Sequence, residues 1–183
     1  MSVNRKNTQQ IQRTIRVPML LFVTLFFSHI AWGKILNGKA TRIVDGDTFD
    51  MVDIRRQKHR IRFTATDCPE KKQGRFGAAA TKRLNQLLSG KTIRVNWDKR
   101  DFARRTVGLV FDGATDVGLE LVREGHCAYY REYAGEISVA ERGAYDQAET
   151  EARAAQRGIW SVANPVMPWD FRKNERRGKK KRK

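Results

Sequence analysis

Alternation of apolar and polar positions dominates the chain once its first thirty or so residues are passed. Strand-like runs at 39–44 and 48–54 flank Asp45-Gly46-Asp47, a tight-turn signal. A basic stretch, 55–58, separates them from a third run at 59–66. Two strands about an Asp-Gly turn followed by a third predict an antiparallel meander. Successive side chains of a strand alternate faces, so Ile61, Phe63 and Ala65 point one way and Arg60, Arg62, Thr64 and Thr66 the other. The apolar set must face a core, which leaves Arg62 on the opposite side.

The period then changes. Ala80, Leu84, Leu87 and Leu88 form a helical stripe over 76–88, with Gly90 as its stop. Strands are predicted at 92–98 and 106–111, and a short helix at 117–124 ends at Gly125. A last helix is expected over 138–157, where Ala140, Ala144, Ala148, Ala152 and Ala155 make a small-residue seam before Gly158. This order predicts an α+β fold, mainly β: a five-stranded Greek-key barrel of the OB-fold type with three helices.

Charge changes the picture at both ends. The 183 residues carry 37 Lys+Arg against 20 Asp+Glu, a formal +17. Arg5, Lys6, Arg13 and Arg16 precede an apolar run at 17–27, and small residues follow at Ala31 and Gly33. Residues 1–33 therefore read as a secretory signal peptide, with an uncleaved anchor as the alternative and membrane contact expected only then. A secreted or periplasmic chain is expected. The last twelve residues, 172–183, hold nine Lys/Arg and one acid, Glu175. Such a block repels itself and predicts a disordered tail, serving either to hold phosphates or to aid solubility. Between the ends, 34–171 is expected to be one domain. The positive excess points to a polyanion, nucleic acid first.

Candidate chemistry gathers at one end of the meander. Asp47 opens the second strand and Asp67-Cys68-Pro69-Glu70 closes the third, so Asp47 and Asp67 can meet. Two carboxylates, a backbone carbonyl and waters suit Ca²⁺ or Mg²⁺ rather than zinc. His29, His59 and His126 are scattered, which disfavours zinc further. Arg62, Arg104 and Arg105 offer guanidinium forks that can grip a phosphate. Singly, these are a turn, a loop entry and solvated arginines. Converging on one face, they are the parts needed to hydrolyse a phosphodiester.

Over roughly 36–172 the chain resembles the staphylococcal nuclease family. The resemblance rests on Val44-Asp45-Gly46-Asp47-Thr48, on Arg62 five residues before Asp67-Cys68-Pro69-Glu70, and on Gln73 with Phe76-Gly77. It continues through Asp101 with Arg105-Thr106-Val107-Gly108, then Leu121-Val122-Arg123-Glu124-Gly125 and Gly158-Ile159-Trp160-Ser161. Pro168-Trp169-Asp170-Phe171-Arg172 resembles the close of secreted bacterial members. It implies a Ca²⁺-dependent endonuclease acting on DNA and RNA at the 5′ P–O bond. Asp47 and Asp67 would bind calcium through carboxylates and Cys68 through its carbonyl. Glu70 would be the general base, and Arg62 and Arg105 would stabilise the phosphate in its transition state.

Three features depart from the pattern or leave alternatives. Ala103-Arg104 stands where the family has Tyr-Gly, so Arg104 competes with Arg105 as the second arginine or binds substrate beside it. Of Tyr129, Tyr130 and Tyr133, the last two are expected to flank a nucleotide, core packing being the alternative. Cys68 and Cys127 are either bridged, as export favours, or both free. A monomer without an obligate protein partner is expected. A non-catalytic OB module and a basic membrane-surface protein are the rival readings. Neither accounts for the acids and arginines together.

Overall fold

Five strands build the barrel: β1 (Lys34–Ile43), β2 (Thr48–Asp53), β3 (Lys58–Phe63), β5 (Thr92–Arg100) and β6 (Thr106–Asp112). This computed structural model describes residues 33–181, so the expected leader lies, but for Gly33, outside the described residues. The strands hydrogen-bond in the order β3-β2-β1-β5-β6, and a parallel pairing of β3 with β6 closes the circle. That is the predicted OB-type barrel. Two-residue strands β4 (Thr66–Asp67) and β8 (Ala128–Tyr129) pair separately, while β7 (Thr115–Asp116) extends the sheet beyond β6.

Each strand contributes alternate residues to one core. Phe49 and Met51 of β2, Ile61 and Phe63 of β3, Ile93 and Val95 of β5 and Val110 of β6 are all buried. The helix α1 (Arg75–Leu88) adds Ala80, Leu84 and Leu88, the predicted stripe, and Gly90 follows in the left-handed conformation that ends it. The strand β1 starts at Lys34, earlier than its pattern indicates, because residues 34–39 pair with β5. The helix α2 (Val117–Arg123) is capped by Asp116, whose carboxylate accepts from the Gly118 and Leu119 N–H groups.

Helix α3 (Val139–Ala154) corrects the alanine seam. Only Ala148 and Ala152 of the five alanines are buried, and Tyr145 fills the rest of the inward face. The tail needs a larger correction. Residues 168–181 form a fourth helix, α4 (Pro168–Lys181), where disorder and three helices were expected. Pro168 suits a first helical position, Asp170 complements the positive helix start, and the cations lie towards the negative end. Self-repulsion alone ignores these contributions. It also ignores anchorage, since Met167 and Trp169 pack against Ala128, Ala152, Ile159 and Trp160. Among the described residues no helix is long and apolar enough to cross a membrane.

Candidate active site

The register of the meander brings the first carboxylate and the first arginine together. Thr48 pairs with Arg62 across β2 and β3, and the Phe63 N–H donates to the Asp47 carbonyl at 3.0 Å. The Asp45-Gly46-Asp47 turn lies close on the body: a Cβ at Gly46 would stand 2.7 Å from the Cβ atoms of both Ala80 and Cys68. Then β3 stops. Ala65 adopts φ +54°, a left-handed conformation costly for a residue with a Cβ, and the chain turns away to pair Thr66 and Asp67 with Tyr129 and Ala128. This break carries Asp67 to the end of the barrel where Asp47 lies. A Cys68–Cys127 disulfide fixes the next residue, and the Cys68 N–H donates to Asp47 Oδ2 at 2.8 Å.

Arg62 spans these groups. Its guanidinium lies 2.8 Å from Asp47 Oδ2 and 2.8 Å from Asp67 Oδ1, and it donates to the Thr66 carbonyl at 2.9 Å. Asp67 is fully buried and Asp47 nearly so. A second guanidinium reaches Asp67 from α4. Arg172 donates to Asp67 Oδ2 at 2.8 Å and Oδ1 at 2.9 Å, and to Glu70 Oε1 at 3.1 Å. Glu70 begins the 3-10 turn Lys71–Gln73, with its N–H donating to Gln73 Oε1. Glycine at 77 lets α1 approach this turn, since a Cβ there would be 2.1 Å from the Glu70 carbonyl oxygen.

The opposite wall comes from the loop between β5 and β6. Asp101 and Arg105 close it with backbone bonds, and Asp101 Oδ2 accepts from Arg105 Nε at 2.7 Å. Arg105 precedes Thr106, which pairs with Ile61 beside Arg62 across the parallel β3–β6 contact. Arg62 thus stands on one strand and Arg105 immediately before its neighbour. Phe102 and Arg104 are exposed at the tip of this loop, Arg104 with φ +61°.

These walls enclose one open cavity of about 410 Å³. Asp45, Asp47, Arg62, Glu70 and Arg105 line it, as do Tyr130, Tyr133, Arg172 and Arg176. Asp67 lies behind, joined to it through Arg62 and Arg172. Tyr130 stacks on Trp169 with centroids 5.2 Å apart and meets Tyr133 edge-on at 5.0 Å. Tyr129 instead packs in the core against Tyr145.

Negative charge is crowded here. Burial, then the neighbouring Asp47, pushes the Asp45 carboxyl up to about 7. Burial also raises Asp67, against the hydrogen bond from Arg172. Three carboxyl groups, Asp47, Asp67 and Glu70, share two guanidiniums, Arg62 and Arg172, with Asp45 beside them, so further positive charge would be stabilised among them. Among the described residues, no three His, Cys, Asp or Glu side chains converge as a metal cage, because the two guanidiniums lie between the carboxylates. The donors themselves are hard oxygens, which fit Ca²⁺ or Mg²⁺.

Of the residues singled out in the sequence, Arg62, Glu70, Arg105, Asp47, Tyr130 and Tyr133 are brought to one cavity, with Asp67 directly behind. Arg104 is not among the residues lining it, and Cys68 touches the cluster through its N–H. Sequence reasoning missed Arg172, Arg176 and Trp169. The signal for Trp169 and Arg172 was the aromatic-rich Pro168-Trp169-Asp170-Phe171-Arg172 segment, which is too apolar at its start for a solvated tail.

Comparison with known proteins agrees with this geometry. Residues 60–162 match the family model described as staphylococcal nuclease homologue. An Escherichia coli O157:H7 protein named as an uncharacterized endonuclease is 35% identical over 158 residues, spanning 85% of this chain and 95% of its own. A micrococcal nuclease of Shigella flexneri is 34% identical over 160 residues, 82% and 88% of the two chains. A Haemophilus influenzae protein, also named as an uncharacterized endonuclease, is 29% identical over 166 residues, 91% and 89%.

Proposed function

Since the chain belongs to the staphylococcal nuclease family, and is an endonuclease, we propose that it hydrolyses DNA and RNA with Ca²⁺ as cofactor. The observation that carries this reading is the shared cavity of Arg62, Glu70 and Arg105, with the Asp47–Asp67 pair at its acidic end.

Asp47 and Asp67 would hold the ion through carboxylates and Cys68 through its carbonyl. When bound, it supplies positive charge beside the phosphate oxygens. Arg62 and Arg105 donate to the non-bridging oxygens, more strongly as charge builds on them in the transition state. Glu70 accepts the proton of the attacking water, whose oxygen bonds to phosphorus as the 5′ oxygen leaves and takes up a proton from solvent. Tyr130 and Tyr133 offer ring faces to a neighbouring base, and an unpaired base stacks on them regardless of its identity. The leader pattern and the Cys68–Cys127 bridge support export to an oxidising compartment, secreted or periplasmic. The protein is proposed to act as a monomer.

Incubating purified protein with plasmid DNA and with RNA, in calcium or in chelator, tests this reading. Both substrates should be cut in calcium and neither in chelator. Cleavage persisting in chelator overturns the metal assignment, and no cleavage with any divalent ion overturns the proposed activity.

A further inference from the structure

The C-terminal helix is anchored at one end and charged at the other. Before and within its first turn, Gln73 donates to the Val166 carbonyl, Trp169 stacks on Tyr130, and Met167 packs against the body. Beyond Arg172, among the described residues, its side chains make one ion pair, the exposed Lys72–Glu175 contact. Arg172 stands at the boundary, held by the anchored turn and reaching the acidic cluster.

Its position there is specific. The guanidinium lies between Asp67, an expected calcium ligand, and Glu70, the expected base. Both Asp67 oxygens already accept from guanidinium N–H groups, Oδ1 from Arg62 and Arg172 and Oδ2 from Arg172. A divalent ion on Asp67 needs a free lone pair, and each guanidinium held against that carboxylate opposes it. The Arg62 side chain is 13% exposed in the barrel wall, whereas that of Arg172 is one-third exposed on a helix tied down only near its start. Of the two, Arg172 is the group able to leave.

We propose that Arg172 is a resident counter-cation of the acidic cluster, which a divalent ion must displace in order to bind. The inference rests on the reading of Asp47 and Asp67 as the ion's seat. Arg172 and the ion compete for Asp67, so each weakens the other's hold by the same factor. The helix thereby sets the ion concentration at which the enzyme becomes competent, and displacement frees a guanidinium beside Arg176 in the same cavity.

Calorimetric titration of calcium into chelator-treated protein, without nucleic acid, tests this directly. Arg172→Ala and the longer, neutral Arg172→Gln should each bind calcium about tenfold more tightly than the parent. Arg176→Ala lines the cavity without touching Asp67 or Glu70, and should change affinity by about twofold or less. Thermal melts establish that each variant is folded. Unchanged or weaker binding in both Arg172 variants overturns the displacement while leaving the seat in place. No binding in the parent or in any variant removes the seat itself, and this proposal with it.

Discussion

Arg62 and Arg105 face one cavity but are held in unlike ways. Arg62 projects from a barrel strand, largely covered and engaged with Asp47, Asp67 and the Thr66 carbonyl. Arg105 ends a loop, is partly exposed, and has Asp101 as its charged partner. The first arginine is the charged partner that two buried carboxylates share. The second is mounted on a loop, with its side chain lining the cavity. One wall is fixed in the barrel strands, and the other is carried by a loop.

The largest expected effect falls on the fixed wall. Arg62→Ala should lower turnover by about a thousandfold and destabilise the fold by about 3–5 kcal/mol, because it strips a partner from buried carboxylates. Steady-state kinetics and urea unfolding read the two losses separately, and unchanged stability would erase the distinction between the walls. Arg105→Ala should lower turnover by about a hundredfold or more with stability within about 0.5 kcal/mol of the parent. A matching stability loss would make it structural too. Smallest is Asp101→Asn, which keeps the loop's shape but loosens the guanidinium. Turnover should fall about tenfold or less. A loss as deep as that of Arg105→Ala would show that the mount matters as much as the arginine.

Much of the fixed wall is readable in the sequence. The alternation of Ile61 and Phe63 with Arg62 sets the arginine's face, and the Asp-Gly turn places Asp47 near the end of the neighbouring strand. Those are local patterns of period two. Ala65 is different, because nothing in its type announces a left-handed backbone, which is imposed by the pairing of Thr66 and Asp67 with β8. Arg172 was hidden for a related reason. Charge density argues for a solvated tail, while its destination depends on Trp169 finding Tyr130, a partner 39 residues away in sequence. The start of β1 likewise needed its partner β5 to define it. Composition speaks for neighbours along the chain, not for contacts made across it.

The single parallel seam of the barrel has a consequence for how the molecule tolerates change. Backbone hydrogen bonds between β3 and β6 set the spacing of the two guanidinium-bearing positions, so the length of chain between them does not. Lengthening an exposed connection between these strands raises its closure entropy only logarithmically. The arginine pair can thus survive insertions that would scatter any constellation built from consecutive loops.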